Sequence, residues 1–297
     1  MYPDKQACLL DFNNLIELAG YNPSQTLVVR HVPREKKLKR ALPWIVAERP
    51  DLWLAWQCIQ WESLEKAMQR GKYIASFVGL ESASATLAGF YEIGKSQTLD
   101  YNGYQNFPGN SELERLGMSG REPDMNDCLA FELEALPFHD NWIGKLTLEW
   151  PPPFQQWWRW GGRKAFPVSY IAQESMFIEA VPDWRDIVLS HAELATLPIT
   201  WSSALAQWRG IYFIHDRTKQ AGYVGAAYGS ENILGRWRDY AATGHGGNRG
   251  LRASDPDDLS FSILERTSPD TPADEVIALE ASWKARLHTR LTGLNAN

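Results

Sequence analysis

Gly210-Ile211-Tyr212-Phe213-Ile214 and Gly222-Tyr223-Val224-Gly225 are two short runs rich in β-branched, aromatic and glycine residues, and the polar segment Asp216-Arg217-Thr218-Lys219-Gln220 lies between them. Runs of this composition around a polar segment predict an antiparallel β-hairpin with a loop of several residues. Each run carries one tyrosine and at least one glycine, and a glycine lets another backbone or a ligand approach closely. On this stretch alone, an ordinary aromatic hairpin and a functional one are equally good interpretations.

A helix that carries an arginine is predicted directly after the hairpin. Ser230 is a candidate N-cap for this helix. Ile233, Trp237 and Tyr240 follow at helical spacing, so they predict one buried stripe. Arg236 therefore lies beside the stripe and near the hairpin rather than far out in solvent.

A second helix is predicted near the end of the sequence and is expected to stop at Gly293. Pro272 and Asp274 mark its start, because proline and acidic residues are favoured in the first turn. Its predicted apolar face consists of Val276, Leu279, Trp283, Leu287 and Leu291. Glu280 lies on the edge of that face. A carboxylate there is usually solvated or ion-paired, so Glu280 alone indicates little.

Taken together, these elements resemble the GIY-YIG nuclease superfamily over roughly the last third of the chain. Gly210-Ile211-Tyr212 is similar to the first signature triplet and Tyr223-Val224-Gly225 to the second. Arg236 resembles the arginine of the signature helix, Glu280 the metal-binding glutamate and Asn295 the terminal asparagine. Many members have a histidine where this chain has Tyr240, although other members carry tyrosine there. This departure affects how the proton is transferred rather than whether the site is active.

The resemblance implies an α+β protein whose C-terminal domain, residues 196–297, is a small α/β layer domain with metal-dependent DNA endonuclease activity. Glu280 is then the ligand of a Mg²⁺ or Mn²⁺ ion, and Arg236 binds the phosphate. Tyr212 orients or deprotonates the attacking water with Tyr223 nearby, and Asn295 supports the site by hydrogen bonding. A free tyrosine has a pKa of about 10, so a role as base requires Arg236 or the cation to lower it.

A glycine-rich segment, residues 243–250, follows the predicted arginine helix and contains His245 and Arg249. One interpretation is a flexible loop with an incidental histidine. Beside a phosphodiesterase site, the alternative is that its backbone N–H groups and these two side chains receive a phosphate. The resemblance adds that a histidine often occurs near this position in the superfamily. His245 is therefore a candidate catalytic residue and Arg249 a candidate DNA contact.

The composition indicates where the protein acts and how it binds DNA. The 297-residue chain has no apolar run of ~20 residues and no secretory signal at its start, so we expect a cytoplasmic protein without a membrane span. Cys8, Cys58 and Cys128 are widely spaced, which predicts free thiols rather than disulfides or a zinc site. The formal net charge of −6 means that contact with DNA must come from local basic patches.

The region before residue 196 predicts a separate domain of mixed helical and β-barrel-like character. Helical patterns cover residues 10–19 and 41–70, and a strand is predicted at residues 26–31. From residue 72 onward, short β-like runs separated by turn residues predict a small curved sheet or barrel. We place the boundary near residue 195, which defines a target-recognition domain of residues 1–195.

Two sets of side chains in this domain are candidates for DNA contact. The basic set contains Arg34, Lys36 and Lys37, which form either a solvated connector or a surface that binds phosphate. The aromatic set comprises Trp157, Trp158, Arg159, Trp160 and Arg163. Adjacent tryptophans on a strand cannot all share one face, so at least one packs into the core. Core packing alone is one interpretation, and a stacking surface for a base with the arginines on the phosphates is the other.

The N-terminal region also resembles, loosely and over no sharp motif, the PUA- or SRA-like target-reading modules that precede some bacterial nucleases. This resemblance implies a first domain that selects the target, including modified DNA. The leading hypothesis is therefore an endonuclease of restriction or phage defence whose first domain selects the target. Two alternatives stay open: a repair or mobile-element nuclease that recognises DNA structure, and a catalytically silent DNA-binding protein. One site cuts one strand at a time, so a double-strand cut would require a homodimer or two successive nicks.

Overall fold

Residues 10–79, 81, 83–229 and 232–295 are described by the computed structural model. The chain divides into two units, Met1–Ile178 and Glu179–Asn297. Each unit combines helices with one β-sheet, so the fold class is α+β as predicted. Cys58 and Cys128 are buried free thiols, whereas Cys8 lies outside the described residues. Every helix in the described ranges is too short or too polar to cross a membrane.

The first unit is built on a seven-stranded sheet that curls into a half-barrel. Its strands are β1 (Thr26–His31), β2 (Tyr73–Val78), β3 (Ser84–Leu99), β4 (Cys128–Ala135), β5 (Leu146–Glu149), β6 (Trp158–Trp160) and β7 (Val168–Ile171). They are arranged in the order β6-β1-β2-β3-β5-β7, with β4 pairing to β3 outside this path. β1 and β2 run parallel, and the other neighbours pair antiparallel. The predicted curved sheet is therefore confirmed, as an open half-barrel.

Helices pack on both faces of this sheet. Within the described residues they are α1 (Phe12–Leu18), α2 (Lys36–Glu48), α3 (Pro50–Cys58), α4 (Glu62–Met68), α5 (Tyr101–Gln105) and α6 (Asn110–Arg115). α2, α3 and α4 form the long crossover that a parallel pair such as β1 and β2 requires. Leu27 and Val29 of β1 belong to the core cluster under these helices, and Val28 belongs to a second cluster with Phe12 of α1. This division follows from the alternation of side chains along a strand.

The second unit has a four-stranded antiparallel sheet of order β10-β9-β11-β8. Its elements are β8 (Val188–Ser190), α7 (His191–Leu194), α8 (Ile199–Gln207), β9 (Arg209–Asp216), β10 (Ala221–Ala227), α9 (Asn232–Thr243), β11 (Leu259–Thr267) and α10 (Ala273–Arg286). β9 and β10 pair along their length, with Tyr212 opposite Gly225. The predicted hairpin is confirmed.

The alternation of side chains along β9 divides the core of this unit between two helices. Tyr212 and Ile214 belong to the cluster that contains Trp237 of α9. Ile211 packs instead with Val276 of α10. The hairpin therefore lies between α9 and α10, the two helices that carry the candidate arginine and the candidate glutamate.

The buried stripe predicted for α9 is confirmed. Ile233, Trp237 and Tyr240 are fully buried, and Arg236 is half-buried beside them. The candidate N-cap Ser230 lies outside the described residues.

The boundary between the units lies earlier in the chain than the one predicted near residue 195. β8 pairs with β11, where Leu189 is opposite Phe261. α7 begins with a capping box formed by Ser190 and Glu193. Ile187 and Leu189 are buried in the core of the second unit. Residues 179–195 therefore belong to the second unit. Because β8 pairs with a strand far away in the sequence, the local pattern does not reveal it.

The C-terminal helix α10 is shorter than predicted. It stops at Arg286, and the positive φ of His288 (54°) turns the chain, whereas the predicted end was Gly293. Leu287 and Leu291, predicted to lie on its apolar face, are 39% and 83% exposed. The turn allows the tail to run back along β10, where it contributes to the candidate site.

Candidate active site

Three tyrosines from three elements form a buried cluster in the second unit. Tyr212 lies on β9, Tyr223 on β10 and Tyr240 on α9, and their ring centroids are between 6.1 and 6.5 Å apart. The hydroxyls of Tyr212 and Tyr240 are 3.1 Å apart and share a hydrogen bond. Tyr212 and Tyr240 are fully buried, and Tyr223 is 7% exposed. The hairpin and α9 therefore hold three phenols together in a buried region.

Gly225 makes room for the Tyr212 ring. The two residues are opposite each other in the β9–β10 ladder, and a Cβ atom at position 225 would overlap the phenol ring of Tyr212. The close approach that the glycine was predicted to permit is thus the approach of a tyrosine from the neighbouring strand. The second triplet, Tyr223-Val224-Gly225, therefore requires its glycine because Tyr212 of the first triplet occupies the space of a side chain at position 225.

Arg236 extends from α9 to this cluster, and its charge affects the pKa of the tyrosine hydroxyls. Its Nε donates a hydrogen bond to the Tyr212 hydroxyl at 3.4 Å. Burial and the neighbouring Tyr223 raise the pKa of Tyr212 to about 12, although the Arg236 guanidinium acts in the opposite direction. Burial also raises the pKa of Tyr240. In the free protein both phenols are therefore protonated at neutral pH and can donate as well as accept a hydrogen bond.

Glu280 on α10 is held by an ion pair within its own helix. The Lys284 Nζ lies 3.1 Å from the Glu280 carboxylate, and the two side chains are 7% and 18% exposed, respectively. The Glu280 charge reaches the tyrosine cluster, because after burial it helps to raise the pKa of Tyr223. The burial of Lys284 is not evident from the sequence pattern. The Glu280 carboxylate, one helical turn earlier, compensates in part for the hydration that the Lys284 ammonium group loses on burial.

The candidate metal ligand can be tested against these contacts. In the described part of the chain, no group of three or more His, Cys, Asp or Glu side chains could hold a metal ion. Mg²⁺ nevertheless binds many proteins through one or two carboxylates and completes its coordination with water and substrate phosphate. Because Lys284 occupies one oxygen of Glu280, a cation would compete with an ammonium group. The residues fit a weakly held ion that binds together with a phosphate, and they do not form a preassembled metal centre.

Asn295 secures the edge strand β10 by a pair of hydrogen bonds. Its Oδ1 accepts from the N–H of Val224 and its Nδ2 donates to the carbonyl of Val224, both at 2.9 Å. Val224 is fully buried, and Asn295 is 4% exposed. These bonds satisfy backbone groups on the side of β10 where the sheet ends. Asn295 therefore positions Val224 and, with it, the adjacent Tyr223.

Replacing Asn295 by alanine is expected to lower the free energy of unfolding by about 1–3 kcal/mol, because the N–H and C=O groups of Val224 would stay buried without partners. Urea denaturation followed by circular dichroism measures this change. Leu291→Ala is the matched control in the same tail, since Leu291 is 83% exposed. If the Asn295→Ala variant were as stable as the control, the supporting role of the asparagine would be disproved.

The glycine-rich segment reaches the cluster through Asn248, a residue that the sequence pattern does not single out. Asn248 Nδ2 donates to the Tyr240 hydroxyl at 2.6 Å. His245 is half-buried, and its Nδ1 accepts a hydrogen bond from the N–H of Gly247 at 2.9 Å, so its ring fastens the loop. Arg249 is exposed. Contacts of His245 and Arg249 with a phosphate stay predictions, whereas Asn248 is linked to the tyrosines directly.

In the first unit, the aromatic set lies on and beside the edge strand β6. Trp158 and Trp160 are half-buried and share one face of the strand, because side chains alternate along it. Arg159 is only 6% exposed, and its guanidinium donates to the carbonyls of Pro151 and Pro153. The phosphate contact predicted for Arg159 would require these bonds to break. The arginine therefore fastens the proline-rich loop in this structure.

The remaining DNA candidates of the first unit lie on two different elements. Arg163 follows β6, and its guanidinium carbon is 5.9 Å from the centroid of the Trp160 ring. Trp157, directly before β6, is half-buried. The basic set occupies the start of α2 and the residues just before it, and all three of its side chains, Arg34, Lys36 and Lys37, are exposed.

Comparison with known proteins adds little to this geometry. No family model matches the chain, and no curated protein matches it. Among solved structures, the catalytic domain of the intron endonuclease I-TevI, in a mutant form, is similar over 30% of this chain and 94% of that domain, with 26% sequence identity and a TM-score of 0.26. A TM-score of this size does not establish a shared fold. The assignment of a function therefore depends on the geometry of the site itself.

Proposed function

We propose that the second unit is a metal-dependent DNA endonuclease with a GIY-YIG type of active site, and that the first unit selects the target. The observation that carries this proposal is the hydrogen bond from Arg236 to Tyr212 inside the tyrosine cluster. A guanidinium that is always ionised and only half-buried can bind a phosphate, and the adjacent phenol can contact the water that attacks it. Phosphodiester hydrolysis needs both functions at one place.

Each residue of the cluster has a defined part in this mechanism. Arg236 presents its remaining N–H donors to the scissile phosphate. The Tyr212 hydroxyl orients the attacking water. As a base it acts only as the phenolate, having first lost its own proton to solvent; Arg236 favours this form and a bound cation would do so too, and the phenolate oxygen then takes the proton from the water. Tyr240, held by Asn248, fixes the direction of the Tyr212 hydroxyl. A Mg²⁺ or Mn²⁺ ion held by Glu280 would neutralise charge on the phosphate oxygens.

Replacing Tyr212 by phenylalanine is expected to slow cleavage by roughly 10²–10⁴-fold, because the ring still packs and only the hydroxyl is lost. The pH dependence of kcat/KM separates the two roles of the hydroxyl. With a pKa of about 12 in the free protein, a tyrosine that acts as base makes kcat/KM rise with pH through the neutral range, and the variant would lack that rise. Wild-type kinetics in the variant, both in rate and in pH profile, would exclude Tyr212 from the chemistry.

For the biological role we propose restriction or phage defence, supported by the presence of a separate α+β unit with surface tryptophans ahead of the site. The test is incubation with Mg²⁺ and matched unmodified, methylated, hydroxymethylated and branched DNAs. Selective cleavage of one modification class is the expected result. A preference for branched DNA would instead favour a repair or mobile-element nuclease, and binding without cleavage of any substrate would indicate a silent DNA-binding protein.

The form of the cleaved product indicates how many copies act. A single site nicks supercoiled plasmid first, whereas a homodimer linearises it directly, with a rate that rises steeply with protein concentration. We propose that double-strand cleavage proceeds through a homodimer, and accumulation of nicked circles at every protein concentration would contradict this.

A further inference from the structure

A cleft in the first unit lies between β6, the end of α4 and the turn before β1. It has two adjoining lobes of about 260 and 380 Å³, and both are lined by Arg70, Trp160 and Arg163. The smaller lobe is also lined by Ser24 and Gln25, and the larger one by Trp158 and Lys164. The larger lobe has the volume of a small-molecule site.

The chemistry of the cleft suits a flat anionic ligand. Trp158 and Trp160 are half-buried on one face of β6, so they combine a fixed position with an accessible surface. Arg70, Arg163 and Lys164 are exposed cations around them, and the described residues that line the lobes include no carboxylate. In a chain with a net charge of −6, this cleft is therefore a local positive region.

The loop that carries two of the cations is fixed before any ligand arrives. The N–H of Gly162 donates to Asn13 Oδ1 at 2.9 Å, and Asn13 Nδ2 donates to the carbonyl of Lys164 at 2.8 Å. α1 thus clamps both ends of the segment that contains Arg163. A preorganised loop loses less conformational freedom on binding, which favours affinity.

We propose that this cleft binds an unpaired nucleotide of a DNA strand. The base stacks against Trp158 and Trp160, and the flanking phosphates lie at Arg70, Arg163 and Lys164. Aromatic stacking together with cations along the backbone is the general mode by which proteins bind unpaired strands. Gln25 offers both a donor and an acceptor to the edge of the base. This inference deepens the proposed function, on which it depends for DNA as the polymer, by stating what the first unit recognises.

The test is binding of the full chain to short labelled oligonucleotides, followed by fluorescence anisotropy in EDTA so that no cleavage occurs. Single-stranded DNA and a duplex with one unpaired base should bind more tightly than a fully paired duplex. Trp160→Ala should weaken binding roughly five- to 150-fold, the range expected for loss of one stacked base. Because Trp160 also packs against the core, Arg163→Glu provides a second variant at an exposed position.

The Arg163→Glu variant should bind single strands more weakly, and the slope of log K against log salt should shrink by about 0.7 for the phosphate contact that is lost. Lys95→Glu is the matched control, an equal charge reversal at an exposed position of β3 away from the lining residues. Equal losses in both variants, or equal binding of paired and unpaired DNA by the wild type, would overturn the proposal.

Competition with free mononucleotides tests whether the cleft binds a DNA strand or a free nucleotide. If a mononucleotide displaces the strand at comparable concentrations, the cleft binds a free nucleotide and the proposal as stated is wrong. The outcome of this binding test can be distinguished from the outcome of the test for nuclease activity. Absence of cleavage with the expected binding pattern would contradict only the proposed activity, whereas cleavage without selective binding would contradict only the cleft.

Discussion

The Arg236→Ala variant is expected to cleave DNA roughly 10³–10⁵-fold more slowly than the wild type, the range known for arginines that stabilise a phosphoryl transition state. Arg236 is half-buried on α9 and donates to the Tyr212 hydroxyl at 3.4 Å. In the proposed mechanism, removing it takes away both the charge that binds the phosphate and the group that opposes the raised pKa of Tyr212. Single-turnover cleavage at saturating protein measures the chemical step without the contribution of binding.

Arg238→Ala is the matched control for this experiment. It removes an arginine from the same helix at an exposed position two residues further on. We expect its single-turnover rate to stay within a few-fold of wild type. Equal rates for the two variants, with DNA saturated in both cases, would show that Arg236 has no special part in the reaction.

Glu280→Gln is expected to abolish detectable cleavage at Mg²⁺ concentrations that saturate the wild type. The substitution keeps an oxygen that can accept from the Lys284 ammonium, 3.1 Å away in the wild type, but it removes the charge that would hold a cation. Because the buried Lys284 ammonium loses its ion-pair partner, the variant should also be less stable, and the two proteins are compared at a temperature where circular dichroism shows both folded. Under those conditions the remaining effect is on catalysis. A Mg²⁺ titration of the cleavage rate measures it, and Glu275→Gln, at an exposed position in the first turn of α10, is the control.

The Glu280→Gln substitution should also change the pKa of Tyr223, which can be measured without any DNA. The Glu280 charge helps to raise the pKa of Tyr223, so the neutral glutamine should lower that pKa. Spectrophotometric titration of the tyrosines, compared between wild type and variant, would show the shift. Full cleavage activity in Glu280→Gln, or a Tyr223 pKa that rises, would contradict the proximity on which the site is built.

Local pattern was sufficient to predict the framework of the site. The composition of residues 210–225 specifies two strands and a turn, and the β9–β10 register confirms the hairpin. The helical spacing of Ile233, Trp237 and Tyr240 identified their buried stripe, so Arg236 could be placed beside it. Each of these features depends on residues close together in the sequence, where propensity and periodicity are informative.

The features that the sequence did not reveal depend on contacts between distant segments. The pairing of β8 with β11 moves the boundary between the units, although β8 has no strong strand pattern of its own. Lys284 is buried because Glu280 pairs with it, a compensation that a hydrophobic pattern cannot show. Asn248 is a common type of loop residue, and only the folded loop brings it to Tyr240.

The end of α10 is a further place where a contact between distant segments overrides the local pattern. Leu287 and Leu291 continue the helical spacing of the apolar face, but α10 ends at Arg286 and the left-handed backbone of His288 then turns the chain, so both leucines lie outside the helix and are exposed. The tail then places Asn295 against β10, where it bonds to Val224. Periodicity alone overestimated the helix, because the tail is stabilised by its contact with the edge strand.

The central claim is that the tyrosine cluster with Arg236 and Glu280 hydrolyses DNA. The most direct measurement uses an end-labelled linear duplex and the purified full chain, with product formation followed in Mg²⁺ and in EDTA. We predict new strand ends in Mg²⁺, none in EDTA, and none from the Arg236→Ala variant at the same concentration. Strand cleavage by the variant equal to that of the wild type, or no cleavage of any DNA by the folded wild type in Mg²⁺, would contradict the account.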